Sequence, residues 1–204
     1  PVIEALGKET DRLISIDTRK ARVAERALEL GAHIINDVSA LTADPDLAAV
    51  ARDSGAGVVL MHMRGDPGTM QNDPHYADVV RDVADYLRAR VEALEHAGLA
   101  RESMAVDPGI CFGKTVEHNI SLLAGLEQLK RLGRPIVVGV SRKSFIGKTL
   151  GREMPDRLAG SLASAAYAIL KGAQIIRVHD VKESCDVARL MAIFRQKESG
   201  DDVF

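Results

Sequence analysis

Short β-branched runs alternate with longer amphipathic stretches along this chain, and that alternation confines it to a few folds. Six runs stand out: Leu13 to Asp17 (LISID), His33 to Asn36 (HIIN), Gly57 to His62 (GVVLMH), Met104 to Asp107 (MAVD), Pro135 to Ser141 (PIVVGVS) and Gln174 to His179 (QIIRVH). A helix-length segment follows each, and strands separated by helices pair in parallel through crossovers. The clearest helix pattern lies within 74–97, where Tyr76, Val79, Val80, Val83, Leu87 and Leu94 fall on one stripe. Leu122, Leu123, Leu126 and Leu129 do the same behind Thr115, a side chain suited to capping a helix start. Core packing is the plain reading of both stripes. Gly31, Gly55, Gly57 and Gly172 precede strands and fit left-handed helix ends.

With 204 residues, 46% of them hydrophobic, the chain can bury one sizeable core, and residues 1–204 read as a single domain. The net charge of −2 comes from interspersed signs, which gives no electrostatic case for nucleic acid or a membrane surface. A small molecule is the expected partner. Cys111 and Cys185 make no disulfide framework, and no apolar run reaches membrane-spanning length, so a reducing, cytoplasmic setting is expected.

Two stretches, DPGICFGKT (107–115) and SFIGKT (144–149), end like a phosphate-gripping loop. That loop needs a glycine five positions before the glycine of its ending, to curl backbone N–H groups around a phosphate. Pro108 and Arg142 stand there instead, so nucleotide triphosphate binding is not the reading.

The C-terminal strand ends carry the chemistry. They supply Asp17, Asn36, His62, Asp107, Ser141 with Arg142 and Lys143, and Arg177 with His179. In open α/β sheets and in (β/α)8 barrels alike, ligands bind at that end. Each such residue could merely cap a helix; together, with long connections at 63–75 and 144–154 on the same rim, they favour a site. Alternation along QIIRVH points Arg177 and His179 the same way, a pair able to grip an anion; the structural alternative pairs Arg177 with a buried carboxylate. Gly139 and Ser141 share a face, and the glycine leaves room for a flat ligand. Asp17, Asn36 and Asp107 suit a heterocycle presenting N–H donors, since carboxylates accept bidentate hydrogen bonds. They could also hold Mg²⁺ through oxygen, but their spacing is no metal fingerprint. His62, His75 and His118 lack zinc spacing and read as packing or solvent-facing residues. Cys111 has no evident histidine partner for thiol catalysis.

SIDT (15–18), INDVSA (35–40), VLMHMRGDPGTMQ (59–71), DPGICFGKT (107–115), GVSRKSFIG (139–147) and RVHDV (177–181) together resemble the dihydropteroate synthase family over essentially the whole chain. The resemblance implies a (β/α)8 TIM barrel, of which about six βα units are expected here, strands 3 to 8 of the family, with the two N-terminal units missing from this chain. It also implies condensation of 6-hydroxymethyl-7,8-dihydropterin diphosphate with 4-aminobenzoate in folate synthesis, inhibited by sulfonamides. By the same resemblance, Asp17, Asn36, Asp107 and Lys143 match the pterin pocket, shaped by Met61, Phe112 and Gly139. Arg177 and His179 match a diphosphate grip, and Ser144 lies on the aminobenzoate side with Lys143. Asp17, Lys143, Arg177 and His179 are the expected catalytic residues. Mg²⁺ and a homodimer also follow from the family, although the metal ligand is expected upstream of these residues and none is assigned within them.

Ile110 and Cys111 stand where the family commonly has an aromatic and a glycine. Six units leave two strand edges unpaired, so these residues alone are expected to associate and to lack synthase activity. A pterin-dependent methyltransferase, a noncatalytic pterin-binding fragment and an open doubly wound sheet are the alternatives. The small residues of 158–170 (Gly160, Ala163, Ser164, with Tyr167) are expected to pack against the core.

Overall fold

The computed structural model describes residues 1–66 and 68–198; Pro67, in the first long connection, and 199–204, at the end of the expected domain, lie outside them. A helix α1 (Val2–Glu9) leads into β1 (Ser15–Asp17), α2 (Ala21–Glu29), β2 (Ile34–Asp37), α3 (Leu47–Ser54), β3 (Gly57–Met61) and α4 (Val79–His96). Then come β4 (Met104–Asp107), α5 (Val116–Ala124), β5 (Val137–Gly139), α6 (Ser144–Leu150), α7 (Leu158–Leu170), β6 (Ile175–Arg177) and α8 (Val181–Glu198), with short 3-10 turns between some of them.

Strands β1 to β4 form one parallel sheet in chain order, β5 pairs in parallel with β6, and a parallel bridge from Val106 to Ile136 joins the two sheets. Strand order decides between the two expected folds. A doubly wound sheet reverses direction at a switch point, which places helices on both faces. Here the order never reverses, and right-handed crossovers, the rule for parallel units, would put the connecting helices on one side. The six units are those of a (β/α)8 barrel, and β1 and β6 are its open edges.

The core lies between strands and helices, around Ile35, Val58, Leu60, Leu87, Leu122, Leu126 and Ile136, all essentially inaccessible to water. Each such side chain contributes about 1.5–3 kcal/mol by leaving water. Both expected stripes are buried, but their local structure differs. Helix α4 starts at Val79, because Asp78 accepts hydrogen bonds from the amides of Val80 and Arg81. Tyr76 therefore belongs to the connection before the helix. Thr115 caps α5 as expected, in a capping box with His118, so the GKT of 113–115 is a helix entry. Leu126 and Leu129 follow in a 3-10 turn after the helix ends.

Other expectations need correction. Much of 144–154 is helix, not connection: α6 runs to Leu150 and ends at Gly151 with φ 63°. Gly57 opens β3, whereas Gly31, Gly55 and Gly172 do take positive φ. Five of the strands are bounded differently from the apolar runs that predict them, most at β5 and β6, where one open edge lacks a partner; β4 matches. On α7 the buried face is Ser161, Ala165, Ala168 and Ile169, while Ala163 and Tyr167 point outward.

Candidate active site

Parallel strands in sequential order deliver their last residues to one mouth, and four of those residues form a continuous polar chain. The Asn36 amide donates to Asp17 Oδ2 at 2.9 Å. Arg177 donates to Asn36 Oδ1 at 2.9 Å and to Asp107 Oδ2 at 3.0 Å. Asp17, Asn36, Arg177 and Asp107 thus span from β1 through β2 and β6 to β4, across the inside of the barrel. Register contributes as well: Asp17 lies opposite Asn36, and Met61 opposite Asp107, so these residues reach the mouth at matching heights.

Asp107 is the buried anchor of this chain, 1% exposed, and its second oxygen accepts the Gly109 amide at 2.7 Å. Burial pushes its pKa above the usual carboxylate range, opposed first by Arg177, then by the Gly109 amide and by Lys143 and Lys114. Arg177 is more open, its side chain 42% exposed. It does not extend beside His179 as an isolated anion pair; its guanidinium turns inward to Asp107 and Asn36. The paired-carboxylate alternative therefore describes its contacts. His179 is held elsewhere, with Ser141 Oγ 3.0 Å from its Nδ1 and accepting its backbone amide.

A cavity of about 250 Å³ opens over this chain, lined by Asp17, Phe112, Gly139, Lys143, Arg177 and His179, with Ser141, Val38 and Val178. Six of the ten expected site residues line it; Asn36 and Asp107 are buried behind that wall, where Arg177 bonds both. A side chain at Gly139 would stand 3.0 Å from the Arg177 guanidinium, so this position sets where the arginine can lie. Lys143 Nζ sits 4.3 Å above the Phe112 ring, a cation–π contact at the cavity edge. Burial lowers the Lys143 pKa, against the opposing pull of Cys111 and Asp107.

Two expected residues stand apart. Met61 is fully buried and does not line the cavity. Ser144 is exposed on the rim as the first residue of α6, its hydroxyl 3.6 Å from Cys111 Sγ. Cys111 has a positive φ of 68° and gives its amide to Asn119 Oδ1 at 2.7 Å; no histidine contact to its thiol is found among the described residues.

The sequence reading missed the brace beneath the cavity. Lys114 is 3% exposed, with Nζ 2.9 Å from His62 Nδ1 and donating to the Phe112 carbonyl at 3.0 Å. Burial lowers its pKa from 10.5 to about 7, and burial together with Lys114 lowers His62 to about 3. His62 is therefore neutral near pH 7 and can accept at Nδ1. The loop lies unusually close to the segment after β3. A Cβ at Gly109 would fall 1.9 Å from the His62 carbonyl oxygen, and one at Gly113 2.2 Å from that of Arg64. Tyr76 adds its hydroxyl to the Gly113 carbonyl at 2.8 Å. No periodic signal marks Lys114, since its burial depends on the path of a loop.

These features define a (β/α)-barrel chain whose mouth gathers carboxylate, amide and basic side chains. Residues 1–179 match the model of the pterin binding enzyme family, and the chain belongs to that family. Among its relatives is the dihydropteroate synthase of Synechocystis sp., 46% identical over 93% of this chain and 66% of its own length. The Yersinia pestis dihydropteroate synthase, solved as a sulfonamide drug complex, superposes with a TM-score of 0.94 at 41% identity, over 97% of this chain and 72% of that one. The Xanthomonas albilineans synthase in complex with 7,8-dihydropteroate gives 0.88 at 40% identity, over 97% and 71%. The chain thus spans about two thirds of the length of the Synechocystis relative it matches. Among the described residues, no helix is long and apolar enough to cross a membrane.

Proposed function

We propose that the protein carrying this chain joins 6-hydroxymethyl-7,8-dihydropterin diphosphate to 4-aminobenzoate, releasing 7,8-dihydropteroate and diphosphate. The observation that carries this is the Asp17–Asn36–Arg177–Asp107 chain beneath a cavity that also presents Lys143 and His179. In this reading the ring's N–H donors bind Asp107, where a buried carboxylate accepts in a fixed direction, and Asn36 meets both donors and acceptors. Ligand donors at Asp107 release Arg177 toward the diphosphate, and His179 joins it from the same wall.

Loss of the diphosphate leaves positive charge on the pterin methylene, close to Asp17. Arg177, His179 and Lys143 face the leaving oxygens, so opposite charges develop where opposite charges already stand. The aminobenzoate nitrogen then attacks from the Lys143 and Ser144 side, and no enzyme nucleophile is needed. The basic side chains Arg177 and Lys143 at the mouth favour this over methyl transfer, which releases no anion of comparable charge.

Mg²⁺ belongs to this reading by resemblance only. Among the described residues no three His, Cys, Asp or Glu converge on a cation site, so the residues here make no cage for it and no step is routed through it. The two free cysteines suit a reducing compartment, and we place the protein in the cytoplasm. A second copy of the chain is the partner we propose for the outward Leu158, Tyr167 and Leu170 of α7 and Leu190 and Phe194 of α8, all exposed. Sulfonamides are the expected inhibitors.

The test is product formation by the full-length protein, followed by release of diphosphate with 4-aminobenzoate as acceptor. Formation of dihydropteroate with competitive inhibition by a sulfonamide is expected. Failure to form it, while a methyl-transfer assay with a methylated pterin succeeds, would replace this reading.

A further inference from the structure

Lys114 is an expensive residue to bury. An ammonium or amine surrounded by protein contributes little to stability compared with an apolar side chain of the same length, so packing alone does not explain it. Its contacts do. Nζ reaches the end of β3 through His62 Nδ1, and the loop after β4 through the Phe112 carbonyl, with the His62 carbonyl 3.5 Å away. The His62 ring is itself held, edge-on to Tyr86 at 5.0 Å and tilted against Tyr76 at 6.0 Å. Beyond the carbonyl that Lys114 grips, the Phe112 ring lines the cavity and carries Lys143 Nζ on its face. Lys114 itself is not part of the cavity wall.

We propose that Lys114 is a positioning residue of the pterin site: its amine ties the end of β3 to the loop after β4 and thereby holds Phe112 and Lys143 at the cavity wall. The inference rests on the functional reading above. It assigns Lys114 no contact with substrate. The clamp has two ends, so breaking either one loosens the same loop, and breaking both adds nothing.

Pterin affinity, measured by calorimetry in the full-length protein, and KM for 4-aminobenzoate provide the test in a double-mutant cycle of Lys114→Met and His62→Phe. Methionine keeps the length without the amine; phenylalanine keeps the ring contacts without Nδ1. A hydrogen bond to a charged or strongly polar partner is worth enough that each variant should weaken pterin binding about tenfold. KM for 4-aminobenzoate should rise as well, since Lys143 serves that side too, and the double variant should be no weaker than Lys114→Met, because coupled sites are not additive. A folded Lys114→Met protein that binds pterin within about twofold of the parent overturns the proposal, as does a double variant whose loss is the sum of the two singles. Should Lys114→Met not fold, His62→Phe decides alone, by the same limit. A parent protein that binds no pterin overturns the functional reading and this inference with it, which separates the two failures.

Discussion

The two sides of the barrel mouth are built differently. On the β3–β4 side, Asp107, His62 and Lys114 are buried, two glycines let the loop touch the neighbouring backbone, and four strands share one ladder. On the β5–β6 side, Arg177 is exposed, and the contacts that hold it come from the side chains of Asn36 and Asp107. Asp107, the carboxylate proposed to accept the heterocycle's donors, thus sits in a frame that cannot shift without breaking backbone packing. The cation assigned to the leaving group sits where it can exchange partners. Rigid recognition and movable charge are separated by strand position.

Glycine substitution on the braced side should break that comparison hardest. Gly109 has φ 68°, and an added Cβ would meet a backbone oxygen at 1.9 Å, an obstacle that cannot rotate away. Left-handed strain and the clash together should cost about 3–5 kcal/mol in Gly109→Ala, read as a loss of unfolding free energy in denaturant. A loss below about 1 kcal/mol would mean that the loop is not seated as described.

Lys114 sharpens the same side through pH. Its folded pKa of about 7 lies below the ordinary lysine value of 10.5, so between these values the unfolded chain binds more protons. Stability then rises with pH across that window, and the full penalty of burying the charge applies below about pH 7. Measured against Lys114→Met, which lacks the group, the parent should gain about 2 kcal/mol between pH 7 and pH 9. Titrating groups that Lys114 does not perturb cancel in that difference. A gap that does not change with pH would show the amine to be hydrated.

How much of this is legible in the sequence depends on whether the information is local. Strand ends are local: an apolar run stopping at Asp17, Asn36, Asp107 or Arg177 announces a polar mouth, and MAVD gives β4 to the residue. Thr115 announces a helix start because its cap lies within three residues. The misses involve competition between distant segments. Tyr76 continues the stripe of α4, yet Asp78 captures the first free amides and its hydroxyl finds the Gly113 carbonyl instead. The segment 144–154 reads as a connection, yet α6 fills its first seven residues, with the Arg157 guanidinium packed beside Gly147. On α7, small residues lie on several faces, and which one is buried depends on packing against distant elements such as α8. The inward turn of Arg177 needs Asp107, 70 residues earlier, to arrive beside it.

The smallest expected effect falls on the open side and is the most discriminating. Gly139 has no positive φ, and a Cβ there would meet the end of the Arg177 side chain at 3.0 Å, not backbone. A guanidinium on a flexible stem can move by the few tenths of an ångström required, so Gly139→Ala should cost less than about 1 kcal/mol of stability. Function has less slack than folding, because the same guanidinium bonds Asn36 at 2.9 Å and Asp107 at 3.0 Å, and a sideways push lengthens at least one of them. Weakening one charge-assisted hydrogen bond without losing it should lower kcat/KM for the pterin diphosphate about fivefold. Stability and catalysis therefore part company at Gly139 and fall together at Gly109. A Gly139→Ala protein as unstable as Gly109→Ala would show that both sides of the mouth are equally rigid, and Arg177 could then not be the movable charge.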